Sequence, residues 1–313
     1  MGNICHAGPV ELPMSSSQPD APPPKKPLTF GKDQNLKRED FMFSNVKEPS
    51  SILVKLPGSI NGQQFIVEDC SDCDIFLLDN CTSVQIDECV NCRILVGPCQ
   101  ASLFLRNCKQ CTVICAVQQF RTRDCENVDV YLYSATEPII ETSKSMRFGC
   151  FPITYFSLQQ QFDQAKFSVW SNKWSEIYNF NPDHGSWKPL PAQPDASPLE
   201  SALQKHENGF VSLWKLPLAT AESLGFSSDP SQLVVPLTSG VCARKEDEPA
   251  IVVCFILPNQ QLMLDFVVSI SQRARLIRTC QMKFTASQAK ALFVDGGGQQ
   301  WIQVGWGVAQ VVI

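Results

Sequence analysis

From residue 65 onward apolar and polar positions alternate in short runs, and each run closes on a cysteine: FIVEDC (65–70), VQIDEC (84–89), LFLRNC (103–108) and FRTRDC (120–125). Alternation with period two marks β-strands buried on one face. The closing cysteines recur at intervals of 19, 19 and 17 residues, and a period of that length signals a solenoid. Two more strand-like pieces fall within each interval, for example DIFLLD before SVQIDE and RILVGP before SLFLRN. Three short strands per coil predict a parallel β-helix over residues 40–182.

Coils of such a helix stack about 4.8 Å apart, so Cys70, Cys89, Cys108 and Cys125 are expected to form one column, where cysteine acts as a small apolar filler. The CxxC spacing of Cys70 with Cys73, Cys89 with Cys92 and Cys108 with Cys111 is also that of paired zinc ligands. Four-coordinate zinc would use two pairs and strand the third, so the core column is the favoured reading and no metal is expected.

After Cys150 the segment FSLQQQFDQAKFSVWSNKWSEIYNF mixes its apolar spacings. It predicts a short helix or two closing the open end of the solenoid, since a terminal coil needs a cap. Residues 183–249, rich in Pro, Ser and acidic side chains, read as an irregular connector. In 250–313, AIVVCFIL predicts a strand, NQQLMLDFVVSISQRA a helix, RLIRTCQMKF a second strand, TASQAKALFVD a second helix and WIQVGWGVAQVVI a third strand. Such alternation implies a small α/β unit, and its length makes it look incomplete. Residues 1–39 carry Pro9, Pro13, Pro19, Pro22, Pro23, Pro24 and Pro27 with a serine run, the composition of a tether.

Composition narrows the partners. An apolar content of 44% in 313 residues supports one large core or two ordinary ones. A net charge of -5 and a pI near 5.3 argue against a duplex nucleic-acid partner, which demands a basic stripe. No apolar run reaches the roughly 18 residues of a membrane span, and the N-terminus lacks the basic start and apolar stretch of a secretory signal. A cytosolic chain is expected, with its 15 cysteines mostly reduced.

Little in the chain suits self-contained chemistry. No GxxxxGK[ST] phosphate loop occurs, and Gly296, Gly297 and Gly298 read as a turn. His6, His184 and His206 fall in tails or connectors, so a histidine-based triad has no scaffold. The most informative stretch is AVQQFRTRDC (116–125). If Phe120 and Thr122 point inward, then Gln119, Arg121 and Arg123 share the outer face. An offset of 20 residues sets IIETS on the next coil with Glu141 beside Arg121, close enough for a charge-assisted hydrogen bond. The plainer alternative is a surface ion pair worth about 0 to 1 kcal/mol.

The stretches KREDFMFSNVK, LPGSINGQQFIVEDCSDCDIFLLD, LRNCKQCTVICAVQQFRTRDC, ATEPIIE, MRFGCF and NKWSEIYNF, in this order, resemble the tubulin-folding cofactor C domain family, its retinitis pigmentosa branch most closely. The resemblance covers roughly 45% of the chain. It implies a right-handed β-helix and activation of a GTP-bound partner, an Arf-like small GTPase in that branch and tubulin for cofactor C. The family's essential arginine lies in a QQxRxxD motif that Arg121 matches. Gln118, Gln119, Arg123 and Asp124 fill the flanking positions, and Glu141 and Phe180 fall where the family contacts or supports the GTPase. An arginine finger supplied in trans is worth about 10³ to 10⁵ in rate. The rival implications are a non-catalytic effector or scaffold that only holds the GTP-bound partner, and tubulin folding.

The resemblance also bears on the two ends. Gly2 followed by Asn3 suits myristoylation and Cys5 offers a palmitoylation site, although His6 stands where the common motif has Ser or Thr. Membrane attachment through these acyl groups implies the cytoplasmic face of the plasma membrane, with the ciliary base as a further expectation. Residues 250–313 sit where the branch carries a unit resembling nucleoside diphosphate kinase, but they contain no histidine. No intrinsic kinase or NTPase activity, and no cofactor, is expected.

Overall fold

In a computed structural model of the chain, residues 37–182, 187–190, 223–226, 232–243, 253–255, 260–271, 276–282 and 309–312 are described. The repeat of the sequence becomes a parallel β-helix. One face stacks β1 (Met42–Ser44), β3 (Phe65–Glu68), β5 (Val84–Asp87), the second halves of β6 (Arg93–Arg106) and β7 (Thr112–Arg123), then β9 (Ile139–Glu141) and β11 (Tyr178–Asn179). The other face stacks β2 (Ile52–Lys55), β4 (Asp74–Leu77), the first halves of β6 and β7, β8 (Asp129–Ser134), β10 (Arg147–Cys150) and β12 (Lys188–Pro189). All these pairings are parallel. The third side of the coil is short, and there the backbones of Cys81 and Cys99, both free thiols, pair in a single parallel β-bridge.

The recurring cysteines sit at the tight corner that joins the two faces. In each coil two left-handed residues make that corner, Asp69 with Asp72, Glu88 with Asn91, Asn107 with Gln110, Asp124 with Asn127. Asp and Asn accept this region more readily than β-branched residues do. Between and after them the cysteines turn inward. Cys70, Cys89, Cys108 and Cys125 form the expected column, buried to within 2%, each thiol directed at the carbonyl two residues back, 3.2–3.5 Å away. Cys73, Cys92 and Cys111 form a second column with the same contact. Both belong to the core that fills the solenoid.

The interval of 17 has a local cause. Between the two faces β6 runs from Val96 to Ser102 while β7 runs from Cys115 to Gln119, its register partners, so β7 crosses the bend with two residues fewer. At that bend a Cβ on Gly97 would lie 2.6 Å from the Tyr155 hydroxyl and 2.9 Å from the Asp79 carbonyl oxygen. The strand needs glycine there so that its backbone can pass.

The two faces differ on their outer sides. On the second face the outward residues Phe76, Leu95, Ile114 and Tyr131 are themselves apolar and buried. The helix α1 (Leu158–Ala165) lies over them with Leu158 and Phe162. A buried polar link fastens it: Tyr155 donates to Gln161 Oε1 at 2.6 Å, and Gln161 Nε2 donates to the Leu78 carbonyl at 2.9 Å. The helix therefore covers the flank, and the open end is closed by other residues of the same region. Trp174 is buried in the solenoid core, and Trp187 packs edge-on against Phe148.

Parts of the expected connector pack here too: the indole of Trp174 donates to Thr238 Oγ1 at 2.9 Å. Beyond them, β13 (Val253–Phe255), β14 (Thr279–Met282) and β15 (Ala309–Val312) form an antiparallel sheet in the order β13-β15-β14, with the helix α2 (Gln260–Ser271) after β13. The second helix expected in this unit lies outside the described residues.

Candidate functional site

Among the described residues no helix lies over the first face, and its outward side chains fall into two rows. One runs Met42, Ile66, Gln85, Phe104, Arg121, Ile139 and Tyr178. The other runs Ser44, Glu68, Asp87, Arg106, Arg123 and Glu141, and Phe180 extends it, its N–H donating to the Ile140 carbonyl at 2.9 Å. Phe120 and Thr122 are buried as expected, and Arg121 and Arg123 point outward.

One expectation fails. Arg121 pairs with Ile139, and Glu141 lies beside Arg123, an offset of 18 residues and not 20. The marker of the coil changes at this point, because Ser143 takes the place that cysteine holds in the four preceding coils. Its hydroxyl donates to the carbonyl two residues back, Glu141, at 3.0 Å, as each cysteine of the column does. An error of two residues preserves the inward and outward sense of every side chain, so alternation alone could not expose it. No Arg121–Glu141 ion pair forms; Glu141 instead lines, with Arg121, Arg123 and Phe104, a shallow groove of about 160 Å³.

The surroundings of Arg121 set it apart. Arg93, Arg106 and Arg147 are each held by the aspartate at the register position one coil earlier. Arg93 Nε donates to Asp74 at 2.6 Å; Arg106 donates to Asp87 at 2.7 and 2.6 Å; Arg147 donates to Asp129 at 2.5 Å through both nitrogens. Donating to those aspartates raises the pKa of Arg106 and Arg147 further. At the equivalent place before Arg121 stands Phe104, whose ring centroid is 5.9 Å from the guanidinium carbon, within cation–π range. Among the described residues the Arg121 side chain makes no hydrogen bond or ion pair. Half-buried between a ring and an isoleucine, it presents a guanidinium with five donors to whatever meets the face.

The flanking residues have distinct places. Gln119 Oε1 accepts from the Ser102 hydroxyl at 3.3 Å. Gln118 sits at the bend, its carbonyl accepting from the Thr136 N–H and hydroxyl at 3.1 and 2.9 Å. Arg123 is exposed and reaches Asp124 at 3.6 Å. Asp124 is a corner residue with φ of 54°, and it accepts from the Thr142 hydroxyl at 2.6 Å. Phe180 stacks edge-on with Tyr178 at 4.8 Å, both rings half exposed. Phe104, Ile139 and Tyr178 escaped the sequence reading. The first was legible, since aligning LFLRNC under FRTRDC on their cysteines sets Phe104 against Arg121; the other two lie beyond the last cysteine of the column. Gly2 and Cys5 lie outside the described residues. No group of three or more His, Cys, Asp or Glu side chains arranged to hold a metal ion occurs among the described residues.

Comparison with known proteins adds the kinship. Residues 62–180 match the family model "Tubulin binding cofactor C". The chain is 36% identical over 287 residues to protein XRP2 of Xenopus laevis, an alignment covering 89% of this chain and 75% of that one. The chain belongs to the XRP2 family. More distantly, human tubulin-specific chaperone C is 25% identical over 139 residues, 44% of this chain and 40% of the relative. A solved tubulin binding cofactor C from Leishmania major covers 48% of this chain and 87% of its own at 19% identity, with a TM-score of 0.34. The match to the family model runs from β3 to β11, and so includes Arg121 and both outward rows from Ile66 to Phe180.

Proposed function

We propose that this chain accelerates GTP hydrolysis on a GTP-bound Arf-like small GTPase, supplying Arg121 as a finger in trans from the open face. The observation that carries the reading is the unpaired guanidinium: of the five outward arginines on the described coils, Arg93, Arg106 and Arg147 are clamped by aspartates, Arg123 reaches Asp124 at 3.6 Å, and Arg121 meets no carboxylate. A finger must donate to charge that develops on the transferring phosphoryl group, and a guanidinium already held by a carboxylate would first have to leave it. The resemblance in the QQFRTRD stretch and the kinship to XRP2 proteins point the same way.

In this reading the chain has no NTPase activity of its own. The GTPase brings Mg²⁺, phosphate loop and water-positioning group; Arg121 contributes about 10³ to 10⁵ in rate, or roughly 4 to 7 kcal/mol off the barrier. Gln119, steadied by Ser102, and Gln118 at the bend shape the rim, and Glu141 and Arg123 offer charges to the partner's switch regions. Tyr178 and Phe180 supply its apolar contact. Myristoyl at Gly2 alone would bind membrane with K on the order of 10⁴ M⁻¹, so stable attachment calls for a second chain at Cys5.

The test is single-turnover GTP hydrolysis by a panel of Arf-like GTPases, with the intact chain and with Arg121→Lys and Arg121→Ala. Acceleration lost in both variants while binding survives is the expected result, since lysine lacks the planar fork. Binding without acceleration by the intact chain would leave an effector or scaffold. Kinship to tubulin-specific chaperone C supports a second reading in which tubulin is the GTP-bound partner, and tubulin belongs in the same panel.

A further inference from the structure

We infer that Phe104 is the positioning residue of Arg121: its ring holds the guanidinium without occupying a donor, and the lack of a carboxylate at this rung is what leaves the arginine free to act. This deepens the function proposed for Arg121 and rests on it. The inference comes from the repeat. Because the ladder sets each outward residue directly beside one on the coil before, position 104 stands to Arg121 as Asp74 stands to Arg93, Asp87 to Arg106 and Asp129 to Arg147. Each of those aspartates takes two donors of its arginine. A carboxylate at position 104 has the same strand geometry available and would take two donors of Arg121. Phe104 is half-buried on the outer face while its neighbours Leu103 and Leu105 fill the core, so exchange of this side chain leaves the core packing in place.

The experiment compares the parent chain with Phe104→Asp, Phe104→Tyr and Gln85→Asp. The last adds a charge on the same row one coil further from Arg121. Two readouts are taken: the crystal structure of the Phe104→Asp variant, and the maximal rate and half-saturation of single-turnover GTP hydrolysis by the responsive GTPase. The new carboxylate is expected within about 3 Å of two Arg121 nitrogens. Hydrogen bonds to charged groups are strong enough that withdrawing the finger from such a clamp should lower the maximal rate about ten- to a hundredfold. Half-saturation should stay within about twofold, because the GTPase still docks on the same surface. Phe104→Tyr keeps the ring and should hold the rate within about twofold, a lost ring contact being worth about two- to fivefold, and Gln85→Asp should match the parent.

A new carboxylate lying away from Arg121, or a Phe104→Asp variant that is clamped yet as fast as the parent, overturns the inference; so does a Phe104→Tyr variant as slow as Phe104→Asp. A parent that accelerates no GTPase overturns the function proposed for Arg121. The crystal structure then still decides the positioning claim, for or against.

Discussion

Ser143 is the fifth rung of a column that is otherwise cysteine, and its replacement by alanine should destabilise the solenoid beneath the Arg121 row. The Ser143 side chain is buried at 4% exposure, and its hydroxyl is used to capacity. It donates to the Glu141 carbonyl at 3.0 Å and accepts from the Cys125 N–H at 3.1 Å; the 2.9 Å contact with Thr122 Oγ1 then has the threonine as donor. In Ser143→Ala the Glu141 carbonyl keeps the Asp124 N–H at 3.2 Å, but the buried Cys125 N–H loses the hydroxyl. An unsatisfied buried donor costs about 1–3 kcal/mol, and the lost threonine bond about 0.5–1.5 kcal/mol more. The expected loss is thus about 2–4 kcal/mol. Equilibrium urea denaturation followed by tryptophan fluorescence, with Trp170 and Trp174 buried in the folded chain, would read this as a fall in midpoint of about 1 M for a slope near 3 kcal/mol/M. Ser143→Cys, which restores the residue type of the preceding rungs, should lose less than the alanine variant. A Ser143→Ala midpoint within about 0.2 M of the parent would refute the reasoning.

Two further outcomes follow from the packing and the buried acids. Gly97→Ala sets a Cβ 2.6 Å from the Tyr155 hydroxyl and 2.9 Å from a backbone oxygen; the forced shift should cost about 1–3 kcal/mol, seen as a lower Tm, and an unchanged Tm would show that the bend can relax. Burial pushes the Cys99 thiol and the Tyr131 phenol up to about 12, from ordinary values of 9.0 and 10.0. Because these folded-state values are raised, the stability they contribute is fully present below about pH 9 and lost as pH rises toward 12. Urea midpoints should therefore hold to about pH 9 and then fall, and a midpoint that stays level to pH 11 would contradict the buried neutral forms.

The fold was legible in the sequence wherever a chemical mark kept count of the coils. FIVEDC, VQIDEC, LFLRNC and FRTRDC share a cysteine that must turn inward at one corner, and aligning on it recovers the register from Phe65 to Cys125. Past Cys125 the mark becomes Ser143, and the register drifted by an even number of residues that alternation tolerates. That is why alternation sets Arg121 on the right face but Glu141 beside the wrong arginine. The sequence marks helix α1 but not its seat, because its apolar residues state only that a partner surface exists. What the partner is depends on Phe76, Leu95, Ile114 and Tyr131, brought together from separate coils.

Those same residues decide which face of the solenoid can meet another protein. The strands of the second face, DIFL, RILV, TVIC and DVYL, run apolar without alternation, the mark of a sheet buried on both sides. Those of the first face, FIVE, VQID, LFLR and FRTR, alternate between buried and more exposed positions, the mark of a sheet with one side left open. Arg121 belongs to the alternating set, and its strand is hydrogen-bonded on both edges, to β6 and to β9. Its Cα is therefore fixed by two ladders, while its guanidinium rests only on the Phe104 ring and keeps its donors free among the described residues. A group meant to reach into a partner's site gains from that combination, because the origin of the side chain is already ordered and only its last few torsions are settled on contact.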